Sequence, residues 1–130
     1  MNLKRLPDTE LEMMRTLWEH GGEASRAELE ALLEHKNWTS TTVNTYLARL
    51  CEKGFVACRK HGKTNYYTPL VSREAYRQFE SRSILAQLYG GSLNCFVAAF
   101  AGGGAVDGEE LEKLRSLLDS LKEKGGGSHD

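Results

Sequence analysis

Cysteine, proline and long apolar runs are scarce in this 130-residue chain, and each scarcity excludes something. The three cysteines, Cys51, Cys58 and Cys95, are odd in number, widely spaced and free of any Cys-x-x-Cys pattern. A disulfide framework is therefore not expected, and they read as reduced thiols, small apolar filler in a cytoplasmic protein. No apolar run approaches the ~20 residues a membrane span needs, and no leader peptide is visible, so direct membrane insertion is not expected. The four histidines (His20, His35, His61, His129) lie far apart and outside any HExxH or Cys/His spacing suited to zinc. There is no GxSxG and no phosphate-binding loop. The glycine runs at 102–104 and 125–127 lack the flanking strand and the Lys-Ser/Thr pair. No catalytic residue, no metal site and no cofactor is expected, and the chain does not read as an enzyme.

Net charge is also small, at −1, but it is unevenly spread. Residues 1–35 carry four Lys/Arg against eight Asp/Glu, residues 36–77 carry eight against two, and residues 78–130 carry five against eight. The middle segment is thus +6 in an otherwise acidic chain, the footprint that phosphate binding leaves.

Residues 39–67, TSTTVNTYLARLCEKGFVACRKHGKTNYY, hold most of that positive charge. Val43, Tyr46, Leu47 and Leu50 recur at spacings of three, four and seven, which predicts a helix with one buried face. The opposite face carries Thr41, Thr42, Asn44, Thr45, Ala48 and Arg49. Side chains that are short and hydrogen-bonding, with one long cation, suit a helix that enters a DNA groove better than an ordinary solvated face. Gly54 breaks the helix. A hairpin then follows: residues 55–59, a turn over 60–63 with Gly62 as the permissive position, and residues 64–70, stopped by Pro69. Its tip carries Arg59, Lys60, His61 and Lys63, placed to lie on a phosphate backbone, with Thr64 opening the second strand.

Upstream, Thr9 with Glu12 forms a predicted capping box for a helix ending at Gly21-Gly22, with Leu11, Met14, Leu17 and Trp18 as its apolar stripe. Ser25 with Glu28 forms a second, opening a helix to about Lys36 with Leu29, Leu32 and Leu33 inward. Asn37-Trp38 breaks it, and Thr39 or Ser40 caps the third. Three helices with short connections, the third polar outside, fit a helix-turn-helix; a plain three-helix bundle leaves the hairpin unexplained.

Downstream, residues 74–89 predict a long helix with Tyr76, Phe79, Leu85 and Leu88 among its apolar positions. Residues 92–101 predict a short one bearing Leu93, Phe96, Val97 and Phe100. A glycine-rich link, AGGGAVDG, separates these from a helix over 108–124 whose stripe is Leu111, Leu114, Leu117, Leu118 and Leu121. The N-terminal core is too small to cover all of these, so a second copy of the chain is expected to pack on them, in a repeat too short for an isolated coiled coil.

The fold class is therefore mainly α with a small β-hairpin wing: a winged helix-turn-helix plus a C-terminal helical dimerisation region. The expected domains are a DNA-binding unit over 1–71, a dimerisation unit over 72–124 and a disordered tail over 125–130. A sequence-specific DNA-binding dimer on a palindromic double-stranded operator is the expected function. The alternative is a winged-helix module for protein–protein assembly, which has no need of +6 on one segment.

In three stretches the chain resembles the penicillinase-repressor group of bacterial regulators. LPDTELEMMRTLWEHG is similar to the family's first helix, TTVNTYLARLCEKGFV to its recognition helix, and YGGSLNCFVAAFA with ELEKLRSLL to its dimerisation helices. The resemblance implies that Thr42, Asn44 and Thr45 face the major groove, that Thr41 and Arg49 contact phosphates or bases, and that residues 60–64 form the wing. It also implies a membrane metalloprotease sensor acting upstream, with cleavage at the bond between Ala99 and Phe100, where Ala99 stands in place of that branch's Asn. The copper-responsive branch ends in a cysteine cluster. With no cysteine after Cys95, this chain falls on the β-lactam-responsive side, where the group regulates antibiotic resistance.

Overall fold

A computed structural model describes residues 3–104 and 106–126. The chain divides into two compact units, Met1–Ile84 and Leu85–Asp130.

In the first unit, α1 (Asp8–His20), α2 (Arg26–Leu32) and α3 (Ser40–Glu52) enclose the core with a three-stranded antiparallel sheet. Its strands are β1 (Ala24–Ser25), β2 (Val56–His61) and β3 (Thr64–Pro69), in the order β1-β3-β2. The helix α4 begins at Arg73 and runs to Tyr89. Met13, Met14, Leu17, Leu29, Leu33, Val43, Leu47, Leu50, Phe55, Val56 and Tyr76 are buried in the shared core.

Several local readings change. Helix α1 starts one residue before Thr9, from an extended Pro7 that makes no side-chain cap. Thr9 is therefore already helical, and Glu12 turns instead to Arg15 at 3.5 Å and Lys36 at 4.0 Å. Its buried arc is Glu10, Met13, Met14 and Leu17, with Leu11 and Trp18 at the half-buried edges. The Ser25–Glu28 capping box is present in full, each side chain bonded to the other's backbone amide. Helix α2 ends earlier than expected, at Leu32, and a 3₁₀ turn (Glu34–Lys36) follows. So short a helix buries a narrow arc: Leu29 and Leu33 take it, and Leu32 is left exposed.

Thr39 caps α3, accepting the amide of Thr42 at 3.1 Å. At the far end Phe55 donates its amide to Leu50 at 2.9 Å and Gly54 to Cys51 at 3.1 Å, the paired bonds of a Schellman stop. That geometry needs the positive φ of 83° at Gly54. The hairpin is tighter than the sequence pattern indicated. Lys60 and His61 belong to β2, paired with Asn65 and Thr64, and only Gly62 and Lys63 turn the chain. A positive φ at the first turn residue alone, Gly62 at 67°, is the pattern that matches the twist of paired strands. Ser25 and Ala24 pair with Tyr66 and Tyr67, adding a third strand too short to show alternation in the sequence.

In the second unit, α5 (Leu93–Gly102) is capped by Ser92, which accepts the amide of Cys95 at 3.1 Å. Helix α6 (Gly108–Gly126) is opened by Asp107, whose carboxylate accepts the amide of Glu110 at 2.8 Å. The glycine-rich link is shorter than expected, because Ala101 and Gly102 finish α5 and Asp107 serves as a cap; its Ala105 lies outside the described residues. Of the tail expected over 125–130, Gly125 and Gly126 close α6, and 127–130 lie outside the described residues.

Candidate nucleic-acid interface

The outer face of α3 is built by what its inner face does. Val43, Leu47 and Leu50 are fixed in the core, and Tyr46 stands edge-on to Trp38 with ring centres 5.1 Å apart. The helix cannot rotate without exposing them, so Thr41, Asn44, Thr45, Ala48 and Arg49 are held toward solvent. Thr42 is half-buried, its hydroxyl accepting that of Thr39 at 3.0 Å. Thr45 donates its hydroxyl back to the carbonyl of Thr41 at 2.9 Å. Both threonines are tied to the helix itself, whereas the Asn44 carboxamide makes no hydrogen bond among the described residues.

The basic charge sorts itself in a way the sequence tally did not reveal. Four of the eight cations of residues 36–77 pair with acids from the first segment: Lys36 with Glu12, Lys53 with Glu10, Arg59 with Glu23 and Arg73 with Glu19. Arg59 thus leaves the tip set. It sits in β2 opposite Tyr66, 3.2 Å from Glu23, which also accepts the Thr68 hydroxyl at 3.5 Å. Among the described residues the other four, Arg49, Lys60, Lys63 and Arg77, have no acidic partner and are exposed; Arg77 lies on α4, away from α3 and the hairpin in sequence. His61 and Thr64, also exposed, face each other across the turn, and the His61 ring lies 6.4 Å from that of Tyr66.

Two groups behind this surface carry shifted acidities. Burial raises the Cys51 thiol at the end of α3, with Cys58 on β2 adding to it. Burial raises the Tyr67 phenol as well. Both stay protonated and neutral at physiological pH, so the positive potential of the surface comes from Arg49, Lys60 and Lys63. Among the described residues no three His, Cys, Asp or Glu side chains gather to hold a metal ion, and no single helix is long and apolar enough to cross a membrane.

In the second unit the residues expected at a dimer interface are largely in water. Leu93, Phe96, Phe100, Leu111, Leu117, Leu118 and Leu121 are exposed, and Val97 and Leu114 half-buried. Tyr89, Phe96 and Phe100 form a short aromatic row, with centres 5.3 and 6.3 Å apart. Val97, Phe100, Val106, Leu111 and Leu114 line an almost wholly apolar hollow of about 330 Å³. Ala99 and Phe100, the expected cleavage pair, are both exposed but lie within α5.

Comparison with known proteins places these features in one group. The family model described as penicillinase repressor matches residues 6–120. The chain is 31% identical to the penicillinase repressor of Bacillus licheniformis over 94% of its own length and 98% of that protein's. It is 26% identical to the methicillin resistance regulatory protein MecI of Staphylococcus aureus (strain N315), over 88% and 93% of the two chains. Among solved structures, the DNA-binding domain of the repressor BlaI superimposes with a TM-score of 0.52 at 30% identity, covering 58% of this chain and 92% of that one. A winged helix with a polar-faced third helix and an uncommitted cationic tip, matched over nearly its whole length, belongs to the penicillinase repressor family of DNA-binding transcriptional repressors.

Proposed function

We propose that the chain represses transcription as a homodimer on a palindromic double-stranded operator, with the polar face of α3 in the major groove and the hairpin tip on the phosphate backbone. One observation carries this reading: Arg49 on the exposed face of α3 and Lys60 and Lys63 at the hairpin tip have no acidic partner among the described residues, while four other cations of the +6 segment are paired with acids of the first segment. Thr41, Thr42, Asn44, Thr45 and Arg49 then supply the groove contacts, and Lys60, His61, Lys63 and Thr64 the backbone contacts.

Exposed apolar residues on α5 and α6 support a twofold partner. Each leucine buried there contributes roughly 1.5–3 kcal/mol, a gain forgone while the face stays in water. A dimer places two α3 helices on half-sites separated by a whole number of DNA turns, the symmetry a palindrome mirrors. The regulated genes on this reading are of the β-lactam resistance type, as the names of the relatives indicate for those proteins. Induction proceeds through a membrane metalloprotease sensor and scission between Ala99 and Phe100. That bond lies in α5, so the helix must unwind locally before a protease can bind it as extended chain. Cutting it removes the partner-facing helix α6 from the DNA-binding unit. The setting is the cytoplasm.

A gel shift on the protein's own promoter region at several salt concentrations tests the reading. A complex whose log affinity falls with log salt by about 0.9 per phosphate neutralised is expected. No salt-sensitive complex means the polar face meets another protein instead.

A further inference from the structure

Within that DNA-binding reading, we propose that Asn44 is the residue that sets sequence specificity, by recognising one adenine in each half-site, with the methyl of Ala48 against the thymine of a neighbouring base pair. Adenine is read in the major groove by a side chain that can donate and accept at once, on a rigid head, whereas a donor-only cation such as Arg suits guanine. On α3 only Asn44 has such a group: the helix STTVNTYLARLCE contains one Asn and no Gln. Asn and adenine complement each other, since the carboxamide accepts from N6–H and donates to N7.

The neighbours are each less suited to that pairing. The Thr45 hydroxyl proton goes to the Thr41 carbonyl at 2.9 Å, so Thr45 can only accept. The Thr42 hydroxyl is half-buried and engaged with Thr39 at 3.0 Å. Arg49 offers donors but no acceptor, and lies in the last turn. Asn44 is exposed and has no hydrogen-bond partner within the chain among the described residues, so it gives up no internal bond on meeting a base. Ala48 lies one turn further along the same face, also exposed, and its single methyl permits the helix to approach closely. Alanine against the thymine methyl is the apolar counterpart of the Asn–adenine pair.

The test uses the full chain and a duplex selected from a randomised library. Replacing each consensus adenine in turn by its deaza analogue, which lacks the N7 acceptor, should weaken wild-type binding about tenfold at one position per half-site. Asn44→Ala should bind more weakly, and the same replacement should then change its affinity by less than about twofold. Replacing thymine by deoxyuridine at the adjacent position should cost about fourfold with Ala48 present and nothing with Ala48→Gly. The proposal is overturned if no deaza position matters to the wild type, or if the loss persists in Asn44→Ala. A wild-type chain that selects no duplex at all overturns the DNA-binding reading beneath it as well, so the two failures are told apart.

Discussion

The carboxylate of Glu10, 1% exposed inside α1, is paired with the ammonium of Lys53 at the C-terminal end of α3. The pair bridges 43 residues of sequence and fixes the end of the DNA-facing helix to the first helix of the core. Lys53 is about a third exposed, so its stem reaches in from the surface, while Glu10 has no other cationic partner among the described residues. Lys53→Met is therefore expected to leave a buried carboxylate unpaired and to lower stability by about 2–4 kcal/mol, whereas Glu10→Leu with Lys53→Met should recover most of that loss. Urea unfolding of the three variants checks it. A double variant as unstable as Lys53→Met alone shows that the site needs the charge pair itself.

Glu10 also shows where the sequence was legible and where it was not. Its position with Met13, Met14 and Leu17 follows the helical spacing of three, four and seven, so the core arc was readable by period. The acidic side chain hid it, because its compensating cation sits in another helix. The same limit hid the fate of Arg59: summed charge over a segment is local, but its pairing with Glu23 depends on how β2 and the turn before β1 come together. The α3 stripe, the Ser25 box and the stop at Gly54 were legible because each is settled within a few residues. The strand β1 was not, since two residues have no alternation and exist as a strand only through β3.

The Ser25 box couples a strand to a helix, and its removal is expected to loosen both. Ser25→Ala should cost about 1 kcal/mol, the usual value of an N-cap, in thermal or urea unfolding. A change near zero would mean that water replaces the hydroxyl without loss.

Glu28 gives that box a pH signature. The backbone amide of Ser25 first, and then His20, hold its carboxyl below the ordinary value of 4.5. A depressed folded-state value means a stabilising contribution present above pH 4.5 and lost as pH falls through the lower folded-state value. The stability gap between wild type and Glu28→Gln should accordingly be open at neutral pH and close in acid. A gap that stays constant from neutral pH into acid contradicts this.

The surface cations should separate into those already paired and those available to phosphate. Arg49→Ala is expected to weaken operator binding and to reduce the magnitude of the salt slope by roughly 0.9, with the dimer intact. Lys60→Ala should behave alike. Arg59→Ala should alter the slope less than either, because its charge is already set against Glu23. Titrations by fluorescence anisotropy across a salt series read all three, and equal slope changes would mean that Glu23 does not hold Arg59 in the complex.

Leu117 lies on the apolar stripe of α6 and is 54% exposed in the isolated chain. If a second copy covers it, Leu117→Asp places a carboxylate in an apolar seam, where removing the charge from water is costly. Monomers are then expected in sedimentation velocity, with the DNA-binding unit still folded, since among the described residues its core cluster extends no further than Phe79. The variant should bind a single half-site as well as the wild-type subunit does, yet lose the added affinity for the full palindrome, because the second contact is no longer tethered to the first. A dimer that survives the substitution moves the interface off this face of α6. A monomer that keeps full palindrome affinity shows instead that the two half-sites are bound independently.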